Sequence, residues 1–322
     1  MQTIIATPAP HSPTRRTDDA GRTPLRIGVV QHRWYADADH TRDELAKGIG
    51  SAAEHGARVV FLPELTLSRY PAFVRGGDNP GADAEDLHTG PTFGFAAETA
   101  KTHGVFVHAS LYEPNEDVTD GLGYNTAILV SPGGELVART RKLHIPVTTG
   151  YYEDTYFRGG PATDPYPVHD VPALDAKFGL PTCWDEWFPE VARAYSLRGA
   201  EVLVYPTAIG SEPDYPAFDT QPLWQQVIVG NGIANGTFMV VPNRHGDEGA
   251  ITFYGSSFVS DPYGRVLVQA PRDESAVLVT DLDLQQRSDW LSLFPFLATR
   301  RPDTYGVLTE PVADAHDFGT QS

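Results

Sequence analysis

Residues 177–208 read KFGLPTCWDEWFPEVARAYSLRGAEVLVYPTA, and their periodicity decides the fold class. A short apolar run, KFGLPTC, is strand-like. WFPEVARAYSLRG then carries apolar residues at helical spacing, and AEVLVYPTA returns to a continuous apolar run. Strand, helix and strand in so short a span imply a crossover unit. At its first corner stands Cys183, the only cysteine in 322 residues. A lone cysteine is commonly a small packed hydrophobe, so its surroundings have to decide between packing and attack.

The same grammar extends in both directions. LRIGVVQ (25–31) predicts a strand, TRDELAKGIGSAAEHG (41–56) a helix capped by Thr41 with Glu44 three residues on, and ARVVFLPE (57–64) a second strand. PTFGFAAETAKTHG predicts a helix, followed by strands VFVHASLYE, YNTAILVSP and ELVARTRKLH. Beyond residue 208, QPLWQQVIVGNGIANG predicts a helix, TFMVVPNR a strand, and YGSSFVSDP, RVLVQAP and AVLVTDLDL three more. Two halves of similar element order imply an α/β fold with two sheets face to face and helices on both outer sides. Residues 1–24 show no hydrophobic period and predict a disordered N-terminal extension, with one domain over 25–305 and a C-terminal tail over 306–322.

Twenty-four basic against 42 acidic residues leave a net charge of −18. Such a surface repels phosphate backbones and anionic lipid, so neither nucleic acid nor membrane is an expected partner. One cysteine permits no internal disulfide and no multi-thiolate zinc site, and no apolar stretch is long enough to span a bilayer. The N-terminus lacks the apolar core of a secretory signal, which leads us to expect a cytoplasmic protein.

Three residues stand at predicted strand ends, where side chains reach a mouth and not a core. Glu64 closes VVFLPE, Lys142 closes the strand before HIP, and Cys183 closes KFGLPTC. A carboxylate can take a thiol's proton, an ammonium can stabilise an oxyanion, and a thiolate is a strong nucleophile. If Cys183 opens a helix, the first-turn amides would lower its pKa. No metal or organic cofactor is required by this set.

FLPEL, RKLHIP and CWDEWFPE, in that order, resemble the Glu-Lys-Cys motifs of the nitrilase superfamily of carbon-nitrogen hydrolases. The likeness runs over about residues 25–305. Within it, KLHIPVTTGYYEDTYF, CWDEWFPEVARAYSLRGAEVLVYPTAIGSEP and ITFYGSSFVSDPYG are most similar to the N-carbamoylputrescine amidase and β-ureidopropionase branch. The resemblance implies a four-layer α-β-β-α sandwich with two central mixed β-sheets, and a homodimer or larger assembly. It also implies Glu64 as general base, Lys142 and the Trp184 backbone N–H as oxyanion donors, Cys183 as the acyl-enzyme nucleophile, and Glu153 as a further carboxylate positioning Lys142 or substrate.

A small-molecule substrate follows, an N-carbamoyl amine in the leading reading. Asp185, Glu186, Glu212, Asp214 and Asp219 are candidates to bind a cationic leaving amine, since a buried charge needs a partner. Arg69 and Arg75 would instead take the carboxylate of a ureido acid. Amidase or nitrilase activity on the same machinery stays open, as does a catalytically silent binding protein on the same fold. His144 is expected to be structural and not a dyad partner, Glu190 to pair with Arg193 along a helix, and Asn243 and Arg244 to support the site.

Overall fold

A computed structural model describes residues 1–15, 21–115 and 120–312. The first sheet contains β1 (Gln2–Ala6), β2 (Leu25–Gln31), β3 (Val59–Phe61), β4 (Phe106–Glu113), β5 (Tyr124–Val130), β6 (Leu136–Arg141) and β15 (Ala276–Leu282). They lie in the order β1-β15-β2-β3-β4-β5-β6. The second sheet contains β7 (Val168–Val171), β8 (Ala176–Gly179), β9 (Val202–Val204), β10 (Phe238–Val241), β13 (Phe258–Ser260) and β14 (Val266–Gln269). Its order is β14-β13-β10-β9-β8-β7. Both sheets mix parallel and antiparallel pairs.

Strand alternation builds the layers. Ile27, Val29, Val59 and Phe61 face inward and meet Phe178, Val202, Val204 and Val240 from the other sheet in one apolar core. Phe61 and Phe178 touch across the gap, ring centroids 6.1 Å apart. The alternate residues Val30 and Val60 face outward under α1 (Ala38–Glu54) and α2 (Pro91–His103). Leu203 and Met239 do the same under α3 (Pro189–Leu197) and α4 (Gln221–Asn235). The four-layer α-β-β-α sandwich expected from the sequence is therefore present, with α5 (Gln285–Leu293) following β15.

Three local readings are corrected. Residues 2–6 are ordered as β1, parallel to β15 at the sheet edge: Ile4 and Ala6 pack against the inter-sheet core, and Thr280 Oγ1 donates to the Ala6 carbonyl at 2.9 Å. Two apolar residues suffice because β15 offers an open hydrogen-bonding edge. The cap of α1 is Asp37, whose Oδ1 accepts from the Asp39 and His40 amides, while Thr41 lies buried in the first turn. YGSSFVSDP is not one strand. Gly255 and Ser256, at φ 55° and 58°, break it between β12 (Thr252–Tyr254) and β13, and β12 pairs with β11 (His245–Asp247) as a separate ribbon. That ribbon approaches the loop after β9 so closely that a Cβ on Gly210 would fall 2.2 Å from the Thr252 carbonyl oxygen.

Candidate active site

The segments that follow β3, β6 and β8 bring Glu64, Lys142 and Cys183 together, although β4 and β5 separate β3 from β6 and β8 lies in the other sheet. Beyond β3 the chain places Glu64 with its side chain fully enclosed and turns at Leu65, φ 46°. The turn is held by Arg244, which donates to the carbonyls of Glu64 (2.7 Å), Leu65 (2.9 Å) and Ser68 (3.2 Å) and is itself paired with Glu248 at 2.8 Å. Beyond β6, Lys142 Nζ lies 2.9 Å from Glu64 Oε1 and 2.7 Å from Glu153 Oε2, with all three side chains buried. Asn125 Nδ2 donates to Glu64 Oε1 at 2.7 Å, and Ser110 Oγ to Asn125 Oδ1 at 3.1 Å. Glu64 Oε2 is buried without a hydrogen-bond partner among the described residues.

Cys183 follows β8 with φ 41°, a strained value for a residue with a side chain, and is fixed by its N–H to the Pro206 carbonyl at 3.0 Å. Asp185, two residues on, accepts from the amides of Thr182 (3.1 Å), Leu143 (3.3 Å) and His144 (2.9 Å) and meets His144 Nδ1 at 2.7 Å. One carboxylate thus clamps the thiol's turn to the residues that follow Lys142. Tyr70 OH donates to Glu153 Oε1 at 2.9 Å while the Tyr70 amide donates to Glu248 at 3.1 Å. Base-like and cationic groups are thereby set in one network, with the thiol's turn clamped beside it.

Burial disfavours the charged form of Lys142, yet Glu153 and then Glu64 outweigh it and hold the ammonium well above the ordinary lysine range. Burial pushes Glu153 up to about 7, against the pull of Lys142 and with the like charge of Glu64. The Cys183 thiol is raised well above its usual value by burial and by Glu64, with Lys142 opposing.

The thiol opens onto a cavity of about 300 Å³. Tyr151, Trp184, Trp187 and Ile209 give it apolar walls, and its charged lining consists of Glu153, Glu212 and Asp214. Among the described residues, no arginine or lysine lines it, and no group of three or more metal-ligating side chains could hold an ion.

The sequence matches the family described as carbon-nitrogen hydrolase over residues 26–291. The chain belongs to that family. It is 33% identical to a citrullinase of Francisella tularensis over 87% of this chain and 96% of that protein. It is 34% identical to an N-carbamoylputrescine amidase of Arabidopsis thaliana over 87% of this chain and 94% of that protein. A carbon-nitrogen hydrolase structure from Helicobacter pylori G27 superposes with a TM-score of 0.78 at 30% identity, covering 89% of this chain and 99% of that one. The protein is an enzyme, a carbon-nitrogen hydrolase of the amidase type, and no helix among its described residues is long and apolar enough to cross a membrane.

Several expectations about this hydrolase's site need correction. Cys183 does not open an α-helix: residues 183–187 form a 3-10 turn and α3 begins at Pro189, so no helix dipole lowers the thiol's pKa, and burial raises it. Arg69 does not line the cavity; it stacks on Phe73 (4.4 Å) and donates to the Glu248 carbonyl. Arg75 stacks on Tyr152 at 4.4 Å. Glu186 is fully enclosed and does not line the cavity. Asp185 is consumed by its clamp, and Asp219 by Arg272 at 2.8 and 2.9 Å. Glu190 and Arg193 form no ion pair; the Arg193 guanidinium lies over Phe296, 6.0 Å from its centroid.

Glu212 and Asp214 do face the cavity, and Trp184 lines it with an N–H that donates to no group among the described residues. His144 is held by Asp185 and stacks on Phe188 with centroids 3.7 Å apart. Sequence reasoning passed over Tyr70 and Asn125. Each holds a carboxylate from a position whose only sequence signal is a polar atom in an apolar setting.

Proposed function

We propose that this hydrolase cleaves an N-carbamoyl amine with a cationic distal group, N-carbamoylputrescine or a close analogue, through a thioester on Cys183. The unpartnered Glu64 Oε2 carries the reading. A buried carboxylate oxygen with no donor is an acceptor in waiting, and the raised thiol pKa means that the proton has to be removed by a base.

In the proposed sequence Glu64 takes the thiol proton as Sγ bonds to the ureido carbon. Lys142 Nζ and the Trp184 N–H receive the developing oxyanion, and Glu153 keeps Lys142 charged and aimed. Collapse breaks the carbon–nitrogen bond, Glu64 returns its proton to the leaving nitrogen, and the amine departs. Water deprotonated by Glu64 then attacks the S-carbamoyl group, restoring the thiol and releasing carbamic acid, which decomposes to ammonia and carbon dioxide.

Glu212 and Asp214 supply negative charge to the cavity and no lining residue among those described supplies a positive one, which favours an ammonium over a carboxylate on the leaving side. The relatives named for N-carbamoylputrescine and for citrulline act, by those names, on ureido compounds. Ammonia release should be followed with N-carbamoylputrescine, citrulline, 3-ureidopropionate, simple amides and nitriles, with Cys183→Ala in parallel. Turnover of N-carbamoylputrescine, abolished in the variant, is the expected result. Preference for 3-ureidopropionate would overturn the cation assignment, and turnover that survives Cys183→Ala would overturn the thioester.

A further inference from the structure

The turn that carries Cys183 also carries Glu186, which the proposed chemistry leaves unused. Its carboxyl is fully enclosed, and among the described residues neither oxygen makes a hydrogen bond of good geometry, although the Trp224 indole N–H lies close enough to favour its ionised form. Three more buried polar groups share that condition: the Trp224 indole N–H from α4, the Tyr205 hydroxyl just beyond β9 and the Tyr254 hydroxyl ending β12. The Trp224 and Tyr254 rings pack 5.4 Å apart, and Asn231 of α4 donates to the Glu186 backbone carbonyl at 2.9 Å. A nest of unsatisfied polar atoms therefore lies behind the thiol's turn and joins it to α4 and β12. Unpaired buried polar groups of this kind are costly, so such a cluster is retained where it satisfies itself or holds water.

Charge decides the state of the carboxyl. It has no cation of its own, since Lys142 is engaged by Glu64 and Glu153. Facing it are Glu64 and Lys142 from the first sheet's strand ends, Asp185 and Cys183 on its own turn, Tyr205, and Tyr254. Burial and then Glu64 push the carboxyl well above the ordinary range, with Trp224 and Lys142 opposing only in part.

Building on the thioester reading, we propose that Glu186 is a positioning residue that works as a neutral carboxylic acid. Its O–H and C=O tie the Cys183 turn to Trp224 and, through enclosed water, to Tyr205 and Tyr254, and its neutrality spares the thiol another negative neighbour. A carboxylic acid kept protonated in a dry site can donate where a carboxylate cannot.

Cys183 is the only thiol, so its alkylation by iodoacetamide reports its ionisation without any substrate. Rates would be measured from pH 6 to 9 for the wild type and for Glu186→Gln, Glu186→Ala and Glu186→Met, the last retaining volume where Ala fails to fold. Glu186→Ala or Glu186→Met is expected to displace the alkylation profile and to lower kcat with little change in KM. Glu186→Gln, neutral and able to donate, is expected to rescue both. Faster alkylation of Glu186→Gln than of wild type, on the order of tenfold below the thiol pKa, would show that a negative charge had been removed and would overturn the proposal. So would wild-type alkylation and kcat in the Ala and Met variants. If the substrate panel is silent while the alkylation profiles behave as expected, the thioester reading falls and the neutral acid stands.

Discussion

Tyr70 shows how single side chains set this site. Among the described residues its hydroxyl is the Glu153 carboxylate's only hydrogen-bond partner besides Lys142, and Tyr70 does not line the cavity. Tyr70→Phe removes a hydrogen bond to a charged group, worth about 1.5–3 kcal/mol. Steady-state kinetics on the variant should show kcat down by roughly tenfold or more with KM nearly unchanged. A matching rise in KM would instead place Tyr70 against substrate. Glu64, Lys142 and Cys183 were legible because each is a reactive residue type standing where an apolar run ends. Tyr70 was not, because a buried tyrosine in an irregular loop has no periodicity to mark it. The thiol's pKa was misjudged in direction for a related reason: sequence suggests which dipoles lie nearby but not how much water is excluded.

At the scale of elements, alternating strand and helix periods carried most of the architecture, including two sheets with helices outside. What escaped were features that depend on a partner far along the chain. β1 is one: its short apolar run means little until β15, some 270 residues later, offers an edge. Ser12 and Thr14 extend the attachment through the Tyr263 hydroxyl at 2.9 and 2.6 Å, and Arg15 pairs with Asp283 at 3.1 Å. Deleting residues 2–15 is therefore expected to lower Tm by several degrees in a thermal melt, as the loss of a few kcal/mol would in a chain of this size. An unchanged Tm would show that β1 adds nothing to the folded state. The break between β12 and β13 escaped for a different reason, since Ser256 at positive φ gives no warning in its side chain.

For the whole molecule, buried titratable groups set the response to pH. Burial lowers His32 and His108 to about 3, with Arg244 and His245 adding to the effect at His32. Each therefore contributes stability that is full above about 6.5 and lost as pH falls toward 3. Glu153 and Glu186 are raised, so each contributes stability present below about 4.5 and lost as pH rises through its folded value, about 7 for Glu153. Between roughly 4.5 and 6.5 the two pairs oppose one another, with His169 and His245, also lowered by burial, joining the histidines and Glu85, raised by burial, joining the carboxyls, so urea unfolding should give only a shallow pH dependence there. Below that window stability should fall by up to about 2.7 kcal/mol per pH unit. His108→Gln removes one of the two histidines, so relative to wild type stability should rise by about 1.4 kcal/mol per unit as pH drops across the window. A profile unchanged by His108→Gln would mean that His108 titrates alike folded and unfolded.

The inter-sheet contact of Phe61 with Phe178 has a consequence for how this enzyme tolerates change. Glu64 stands three residues beyond Phe61 on one sheet, and Cys183 five residues beyond Phe178 on the other. The working distance between the two is therefore the spacing of the slabs, and every inward-facing side chain acts as a shim. A core substitution that thickens or thins the sandwich by a fraction of an ångström leaves the chain folded but its tools out of true. Activity, in such a molecule, is a finer gauge of packing than melting temperature.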